Sequence, residues 1–431
     1  MFNLRDRYRK SREMLDVVER IIPLASQTFS KSHIQFPEAS PHFIVNGKGS
    51  HVWDVDGNEY IDFINGLLPV ILGYCDPDVD AAVSDQLRRG VSFSLPSPLE
   101  GELAEILVDI IPCAEMVRFG KNGSDATAGA IRIARAYTGR ERIAVCGYHG
   151  WQDWYIGCTT RDKGIPLAVK ELTHQFTYND LSSLEALFDK HPGEFAAVIM
   201  EPMNTDDPIP AFLEGVQETA HKNGAVFILD EIITGFRYSL GGAQELFGIT
   251  PDMATFGKSM ANGFPISVVA GKKEFMEEME DIFFSFTFGG EAVSIAAAIA
   301  TIAKIRRESV IDNLWNKGQI IIDEVTRLIK SHELEQVIQI KGKAPWSLLM
   351  INNYNTTTSW EIKSLFMQAM LARGILISGS HNISYAHSED DLNRLFSVYN
   401  EVFSLVHNAL KNDSTKIALA GNPIEPLFKI R

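Results

Sequence analysis

The stretch AVFILDE, residues 225–231, is a short apolar run that ends in two carboxylates. Three similar runs occur in the same part of the chain: RIAVCG (142–147), AAVIME (196–201) and ISVVAG (266–271). Helical patterns separate the runs, and this alternation predicts an α/β fold with a mostly parallel sheet covered by helices. Binding groups gather at the carboxyl ends of strands in such sheets, so we expect Glu201 and Asp230 at a ligand site.

The two ends of the chain follow other patterns. Residues 1–21 have the pattern of a charged amphipathic helix, and HVWDVDGNEYIDF (51–63) alternates around Asp56-Gly57, which predicts a β-hairpin. The last third is mainly helical, with an apolar stripe at helical spacing over 388–410. We therefore expect three parts: an N-terminal segment over 1–65, a large ligand-binding domain over 66–310 and a C-terminal small domain over 311–431.

Charge and composition narrow the class of protein. The net charge is −15 and no long Lys/Arg cluster is present, which argues against a nucleic-acid partner. The four cysteines form no CxxC pair, so neither a zinc site nor a dithiol centre is indicated. The start lacks the apolar core of a signal peptide, and no run of ~18 apolar residues follows. We expect a cytoplasmic protein without metal or membrane partners.

The stretch TFGKSMANGFP (255–265) places Lys258 between a glycine and small residues. A phosphate-binding P-loop would need a glycine where Asp252 stands, five positions before Gly257. An esterase nucleophile elbow around Ser259 would need a second glycine where Ala261 stands. Two alternatives remain: an amine that forms an imine with an aldehyde cofactor, and an ordinary surface lysine. Lys258 alone does not decide between them.

Other residues match the needs of one aldehyde cofactor, pyridoxal phosphate. Its ring nitrogen needs a carboxylate neighbour, and Asp230 ends a strongly apolar strand. Its phosphate needs backbone amides at a helix start, and Gly123 with Ser124 opens a helical pattern. Taken singly, the aspartate also fits a turn cap, and the glycine and serine fit an ordinary helix start.

A flat cofactor ring also needs contacts on its faces. Tyr148 and His149 directly follow a predicted strand, and Tyr148 offers a stacking ring. Ile232, two residues after Asp230, is a candidate for the opposite face. Simple core packing is the alternative for each of these side chains.

Together these segments resemble the class III aminotransferases, enzymes of fold type I that depend on pyridoxal phosphate, and most closely the glutamate-1-semialdehyde 2,1-aminomutases. The similar segments are WDVDGNEYIDF, NGSDAT, AIRIARAYTGR, YHGW, DEIITGFRYSLGGAQELFGITPD, FGKSMANGFP and AHSEDD. The resemblance implies a large domain with a mostly parallel seven-stranded sheet and a smaller α+β domain built from both chain ends.

The resemblance also implies roles for single residues. Lys258 is the Schiff-base lysine, Asp230 the partner of the pyridine nitrogen, Tyr148 the stacking ring, and Gly123 with Ser124 the phosphate cradle. Thr287 matches a threonine that reaches the phosphate of the neighbouring subunit, which implies a homodimer with shared sites. Glu201 begins EPMNTDDPIP, where the contact to the phenolic oxygen of the cofactor falls to Asn204, with Asp206 as the rival.

One departure from the family pattern bears on the substrate. The aminomutases bind the substrate carboxylate with an N-terminal arginine, but residues 21–87 contain none. Lys31 is a possible point charge in its place, and His381 with Asn382 is a possible contact to a polar, uncharged substrate such as a sugar ketone. The alternatives are a solvated surface lysine for Lys31 and a loop histidine with satisfied hydrogen bonds for His381.

We therefore predict an aminotransferase that moves an amino group between an amine donor and a carbonyl acceptor. The first alternative is an aminomutase, which completes both half-reactions on one molecule. The second is a regulator that binds the cofactor without catalysis, and the retained lysine, aspartate and phosphate loop argue against it.

Overall fold

The run AVFILD forms a buried strand at the centre of a seven-stranded sheet in the computed structural model, which describes residues 4–203 and 205–426. The strands are β1 (Ile44–Lys48), β2 (His51–Asp54), β3 (Glu59–Asp62), β4 (Met116–Gly120), β5 (Arg142–Cys146), β6 (Thr173–Gln175), β7 (Phe195–Met200), β8 (Val226–Asp230), β9 (Met253–Phe256), β10 (Ser267–Gly271), β11 (Ile338–Lys343), β12 (Trp346–Ile351), β13 (Ile375–Leu376) and β14 (Ser380–Asn382). The helices are α1 (Leu4–Arg7), α2 (Arg9–Val18), α3 (Pro77–Arg89), α4 (Pro98–Ile110), α5 (Gly123–Thr138), α6 (Asp153–Ile156), α7 (Leu167–Lys170), α8 (Leu181–Lys190), α9 (Phe212–Lys222), α10 (Ala243–Phe247), α11 (Lys273–Met276), α12 (Ala292–Arg307), α13 (Val310–Ser331), α14 (Ser359–Ala372), α15 (Glu389–Lys411) and α16 (Thr415–Ala418).

The seven-stranded sheet has the order β4-β10-β9-β8-β7-β5-β6. Strands β6, β5, β7, β8 and β9 run parallel to one another, whereas β10 pairs antiparallel with both β9 and β4. The prediction of a mostly parallel sheet is confirmed, and each of the four apolar runs supplies one strand. Every residue of β7, β8, β9 and β10 is buried, which explains why these strands read as continuous apolar runs.

The carboxyl ends of adjacent parallel strands meet at one edge of this sheet. Cys146 of β5 pairs with Met200 of β7, and Asp230 of β8 pairs with Thr255 of β9. Strands β7 and β8 also pair in parallel register. The residues that directly follow β5 and β7 therefore leave the sheet near Asp230.

Helix α5 begins with a capping box. Asn122 Oδ1 accepts a hydrogen bond from Asp125 N at 3.2 Å, and Asp125 Oδ2 accepts one from Asn122 N at 3.0 Å. These two bonds fix the start of the helix at Gly123. Gly139 ends it in the left-handed conformation, with φ +67°. The buried alanine and isoleucine side chains of the helix belong to the core of the sheet: Ala126, Ala130, Ile131, Ile133 and Ala134.

The chain divides into two compact units. One comprises Pro77–Ile311 and contains the seven-stranded sheet. The other comprises the described residues up to Asp76 and from Asp312 onward, so segments from both ends of the chain fold together. It contains a four-stranded sheet, β1-β2-β3-β13, and a three-stranded sheet, β11-β12-β14. The predicted hairpin connects β2 and β3, with Gly57 at φ +87° in its turn.

The predicted N-terminal helix corresponds to α1 and α2. The Asp56 carboxylate, from the hairpin turn, accepts hydrogen bonds from Lys10 N at 2.8 Å and Ser11 N at 2.9 Å. A carboxylate at this position stabilises α2, because it binds N–H groups that have no partner inside the helix. No helix in the part of the chain that the structure describes is long and apolar enough to cross a membrane.

Candidate active site

A cavity of about 280 Å³ lies in the unit that contains the seven-stranded sheet. Its volume is close to the lower limit for small-molecule pockets, roughly 300 Å³. The structure brings most of the predicted cofactor residues together around it: Gly123, Ser124, Tyr148, His149, Glu201, Asp230, Ile232 and Lys258. Their atoms and surroundings show what this cavity can bind.

Lys258 directly follows β9 and Gly257, and it starts a 3₁₀ helix that spans Lys258–Ala261. Its backbone has φ +41°, a left-handed conformation that costs a non-glycine residue roughly 1–3 kcal/mol. Burial lowers the pKa of the Lys258 amine, while the carboxylates of Glu201 and Asp230 oppose this shift. A larger share of the amine is therefore unprotonated and able to attack a carbonyl.

Asp230 ends β8 as a buried carboxylate with both oxygens held. Its Oδ2 lies 2.7 Å from His149 Nδ1, and its Oδ1 accepts hydrogen bonds from Ile232 N and Thr255 Oγ1, both at 3.1 Å. A carboxylate held beside a pyridine nitrogen favours a proton on that nitrogen. Asp230 therefore has the chemistry that its predicted role requires.

His149 is buried behind Asp230. Its Nδ1 faces the Asp230 carboxylate, and its Nε2 lies 3.2 Å from the Cys146 carbonyl oxygen. Both ring nitrogens of His149 therefore have a polar partner within hydrogen-bond distance, and the ring holds the Asp230 carboxylate in place.

The N-terminus of α5 forms one wall of the cavity. The N–H groups of Gly123 and Ser124 are among the first of the helix, where backbone donors have no partner inside it and attract an anion such as phosphate. Ser124 Oγ accepts a hydrogen bond from Trp151 N at 3.1 Å. A Cβ atom on Gly150 would lie only 2.2 Å from Ser124 Oγ, so the close approach of the two loops requires glycine.

Tyr148 and Glu201 are joined across two strand ends. The Tyr148 backbone N–H donates to Glu201 Oε2 at 3.0 Å. A Cβ atom on Gly147 would lie 2.4 Å from the same oxygen, and Gly147 has φ +105°, so only glycine fits there. Burial raises the pKa of the Tyr148 phenol, and the charges of Asp230 and Glu201 raise it further. The ring therefore stays neutral, and stacking on the cofactor remains its predicted role.

Three predicted cofactor contacts are not among the cavity residues. Asn204 lies outside the described residues. Asp206, its rival, is exposed, and Thr205 Oγ1 donates to it at 3.1 Å. Thr287 is exposed in a turn before α12. Its predicted contact is with a neighbouring subunit, and that role stays a prediction.

The residues considered for substrate binding lie in the other unit. His381 is fully buried, with Nε2 2.7 Å from Tyr399 Oη and Nδ1 2.9 Å from Ser347 Oγ, so neither ring nitrogen is open to a substrate. Asn382 is also buried, and its Nδ2 donates to the Ile64 carbonyl at 2.7 Å. This geometry does not support direct substrate contact by either side chain. Lys31 is exposed at the end of a 3₁₀ turn.

Sequence reasoning missed further residues that line the cavity: Asn122, Thr127, Gly150, Trp151 and Ile233. Each stands next to, or within one helical turn of, a residue that was singled out. The local signals were the motifs NGSDAT and YHGW, whose remaining members share the same turns. Thr127, for example, donates from Oγ1 to the His149 carbonyl at 2.8 Å and so joins α5 to the loop after β5.

Arg237 is a further residue that sequence reasoning missed, and it lies outside the residues that line the cavity. It is fully buried, and its guanidinium donates to Ser259 Oγ at 3.5 Å, next to Lys258. Burial lowers the pKa of Arg237 to about 10, so it stays charged at neutral pH. This charge adds to burial in lowering the pKa of Lys258. The available signal was the arginine in DEIITGFR, a charged residue directly after an apolar segment.

The cavity residues fit pyridoxal phosphate. Lys258 supplies an amine of lowered pKa, Asp230 a buried carboxylate held on both oxygens, and Gly123 with Ser124 N–H groups at the helix start. A metal centre is not an alternative among residues 4–203 and 205–426, where no group of three or more His, Cys, Asp or Glu side chains could hold an ion.

Comparisons with known proteins also indicate an enzyme that uses pyridoxal phosphate. The family model described as Aminotransferase class-III matches residues 35–388. The 3-aminobutyryl-CoA aminotransferase of Cloacimonas acidaminovorans (strain Evry) is 36% identical over 394 residues, 89% of this chain and 94% of that protein. The glutamate-1-semialdehyde 2,1-aminomutase of Natranaerobius thermophilus is 32% identical over 394 residues, 85% and 92% of the two chains. The solved PLP form of the Sphingopyxis sp. MTA144 FumI protein aligns with a TM-score of 0.88 at 28% identity, over 96% and 99% of the chains.

Proposed function

Because the chain belongs to the class III aminotransferase family and is an enzyme dependent on pyridoxal phosphate, we propose that it transfers an amino group from an amine donor to a separate ketone or aldehyde acceptor. The observation that carries this proposal is the meeting of Lys258, the Asp230–His149 pair and the N-terminus of α5 in one cavity. These groups match the aldehyde, the ring nitrogen and the phosphate of the cofactor, respectively.

Bound in this cavity, pyridoxal phosphate supplies an aldehyde and a ring that accepts the electron pair of the substrate carbon. Lys258 Nζ would hold the cofactor through this aldehyde, and the donor amine would displace it. Burial lowers the pKa of Nζ, so the freed Lys258 amine would be able to take the proton from the amine-bearing carbon of the substrate. Asp230 Oδ1 and Oδ2 stay in place during this step, since backbone and side-chain groups hold both.

The acceptor we propose carries no free carboxylate near its reacting carbon. The sequence lacks the N-terminal arginine of the aminomutases, and no arginine is among the described residues that line the cavity. The cavity also contains the carboxylates Glu201 and Asp230, which repel a further anion. A thioester meets this condition, and a relative of this chain is named for a 3-amino acyl-CoA. We therefore propose a 3-oxoacyl thioester, rather than a sugar ketone, as the acceptor.

Intramolecular transfer is the second candidate, because two of the relatives are named as glutamate-1-semialdehyde 2,1-aminomutases. The missing arginine counts against that substrate, whose carboxylate would lose its charged partner. The two candidates differ in whether an aminated product leaves without a second substrate.

We also propose a homodimer with shared sites. The loop that carries Thr287 exposes large apolar side chains, with Phe283 81% and Phe288 59% exposed. Val91 and Phe93 are exposed too, and the Val91 carbonyl accepts a hydrogen bond from Ala292 N at 2.9 Å, so this segment joins the start of α12. A second copy of the chain would remove this apolar surface from water.

The test loads the enzyme with pyridoxamine phosphate and adds one carbonyl compound without any amino donor. A 3-oxoacyl thioester, a sugar ketone and glutamate-1-semialdehyde are compared, and products are followed by mass spectrometry. Release of one aminated molecule per active site from the thioester supports the proposal. Turnover of glutamate-1-semialdehyde to an isomer, with no amination of the thioester or the sugar, would contradict it and favour the aminomutase.

A further inference from the structure

The loop that carries Thr287 is fastened to the same elements that form the phosphate cradle. We call residues 283–290 the partner loop and residues 121–124 the phosphate turn. Arg132, from α5, donates to the Phe283 carbonyl at 2.7 Å. Arg118, from β4, donates to the Phe284 carbonyl at 3.3 Å. The start of the partner loop is therefore held by the strand and the helix on either side of the phosphate turn.

Packing adds to these hydrogen bonds. A Cβ atom on Gly129 would lie 2.8 Å from the ring of Phe284, so the ring rests directly on α5 where the helix has no side chain. Phe286 comes within 3.7 Å of the Cβ position of Gly120, the last residue of β4. The partner loop therefore packs directly against α5 and the end of β4.

An ion pair fastens the far end of the partner loop to the phosphate turn. Lys121 Nζ lies 3.0 Å from Glu291 Oε2, and the two side chains are only 17% and 13% exposed. Burial would raise the pKa of Glu291, but hydrogen bonds from Ser294 and the charge of Lys121 outweigh it and lower the pKa. Glu291 is thus ionised and fixed, and it also accepts Val293 N at 2.7 Å at the start of α12.

The backbone of Lys121, the other member of this ion pair, is also held by hydrogen bonds. Asp125 Oδ2 accepts hydrogen bonds from Lys121 N and Asn122 N, both at 3.0 Å. Asn122 lines the cavity and precedes the two helix N–H groups that fit a phosphate. The Lys121 side chain therefore links the phosphate turn to Glu291, the residue that directly follows the partner loop.

We propose that Lys121 and Glu291 are positioning residues that couple phosphate binding in one subunit to the partner loop that completes the neighbouring site. Filling one site then orders the loop for the other, and each subunit's affinity for pyridoxal phosphate depends on its neighbour. The inference rests on the homodimer with shared sites that is part of the proposed function.

The test compares Lys121→Met, Glu291→Gln and Thr287→Ala with the matched control Lys273→Met, whose pair with Glu277 is 3.5 Å long and 66% and 54% exposed. Apoprotein of each variant is titrated with pyridoxal phosphate and, separately, with pyridoxal, which lacks the phosphate. Binding is followed by the absorbance of the bound cofactor, and the oligomeric state by sedimentation.

We expect Lys121→Met and Glu291→Gln to weaken binding of pyridoxal phosphate about two- to fivefold, the range for a partly exposed ion pair, and to leave pyridoxal binding unchanged. Because the pair acts through Thr287, adding Lys121→Met to Thr287→Ala should have little further effect. Full additivity of the two changes, or an equal loss for pyridoxal, would overturn the coupling. A monomer, or a Thr287→Ala variant with wild-type affinity, would instead overturn the shared-site dimer on which the inference rests.

Discussion

Replacement of Gly150 by alanine isolates the contribution of the phosphate cradle. The added Cβ atom would lie 2.2 Å from Ser124 Oγ, 2.9 Å from Ser124 Cβ and 3.0 Å from Ser124 Cα. The last of these is a backbone atom, so a side-chain rotation of Ser124 cannot relieve the clash. Gly150 also has φ +103°, a conformation that alanine adopts only with strain.

The expected cost has two parts. Overpacking of this kind costs about 1–3 kcal/mol, and the unfavourable backbone conformation adds roughly 1–2 kcal/mol. The control Gly164→Ala carries the strain alone, because Gly164 has φ +90° and nothing within 4 Å of its Cβ position. The difference between the two variants therefore measures the clash with Ser124.

Two measurements check this reasoning. Urea denaturation of the apoprotein should show a larger loss of stability for Gly150→Ala than for Gly164→Ala. Titration with cofactor should show weaker binding of pyridoxal phosphate for Gly150→Ala but not for Gly164→Ala, because the displaced Ser124 no longer presents its N–H to the phosphate. If both variants bind pyridoxal phosphate as the wild type does, the N-terminus of α5 is not the phosphate site.

Three further predictions concern single side chains. Asp230→Asn removes the carboxylate and should slow amino transfer about 10- to 1,000-fold, with the cofactor still bound. This range follows because a close carboxylate raises the pKa of a cationic partner by about 1–3 units. Stopped-flow spectroscopy of one half-reaction checks this, and an unchanged rate would refute the role of Asp230. Tyr148→Phe should keep wild-type affinity for the cofactor, because the ring is retained and the raised pKa of the phenol means that no charge is lost. Tyr148→Ala should bind the cofactor more weakly. If Tyr148→Ala and the wild type have equal affinities in a titration, the ring makes no contact with the cofactor. His381→Gln should leave the choice of substrate unchanged and alter acid stability instead. Burial and then His387 lower the pKa of His381 to about 3, so the folded state binds fewer protons than the unfolded state between pH 3 and 6.5. The wild type should therefore lose roughly 1.6 kcal/mol from this group between pH 6.5 and 5, a loss that is absent in the variant and measurable by urea denaturation at each pH.

The strands and the strand-end carboxylates were predictable because each depends on local sequence alone. A buried parallel strand shows an apolar run, and the residue that ends it shows where the sheet opens, which identified Asp230 and Glu201. The antiparallel direction of β10 was not predicted, because a strand pattern carries no direction. The physical reason lies in the connection: segment 257–266 is shorter than the dozen or so residues that a parallel crossover requires.

Partners that are distant in the chain could not be predicted from the sequence. The sequence leaves two interpretations of His381: a contact to a polar substrate, and a loop histidine whose hydrogen bonds are satisfied. In the structure His381 belongs to β14, and Ser347 and Tyr399 occupy its two nitrogens. The ring contact between His149 and Asp230, residues 81 positions apart, likewise appears only after the strands align. The burial of Arg237 was not predicted, because a charged residue is expected at the surface, whereas Arg237 is fully buried.

The most direct test of the central claim, that Lys258 is the residue that holds pyridoxal phosphate, is chemical trapping. The protein is mixed with the cofactor, reduced with borohydride and digested, and the peptides are analysed by mass spectrometry. We expect one cofactor adduct per chain, located on Lys258, and no adduct in Lys258→Met under the same conditions. An adduct on another lysine, or an undiminished adduct in Lys258→Met, would contradict the assignment.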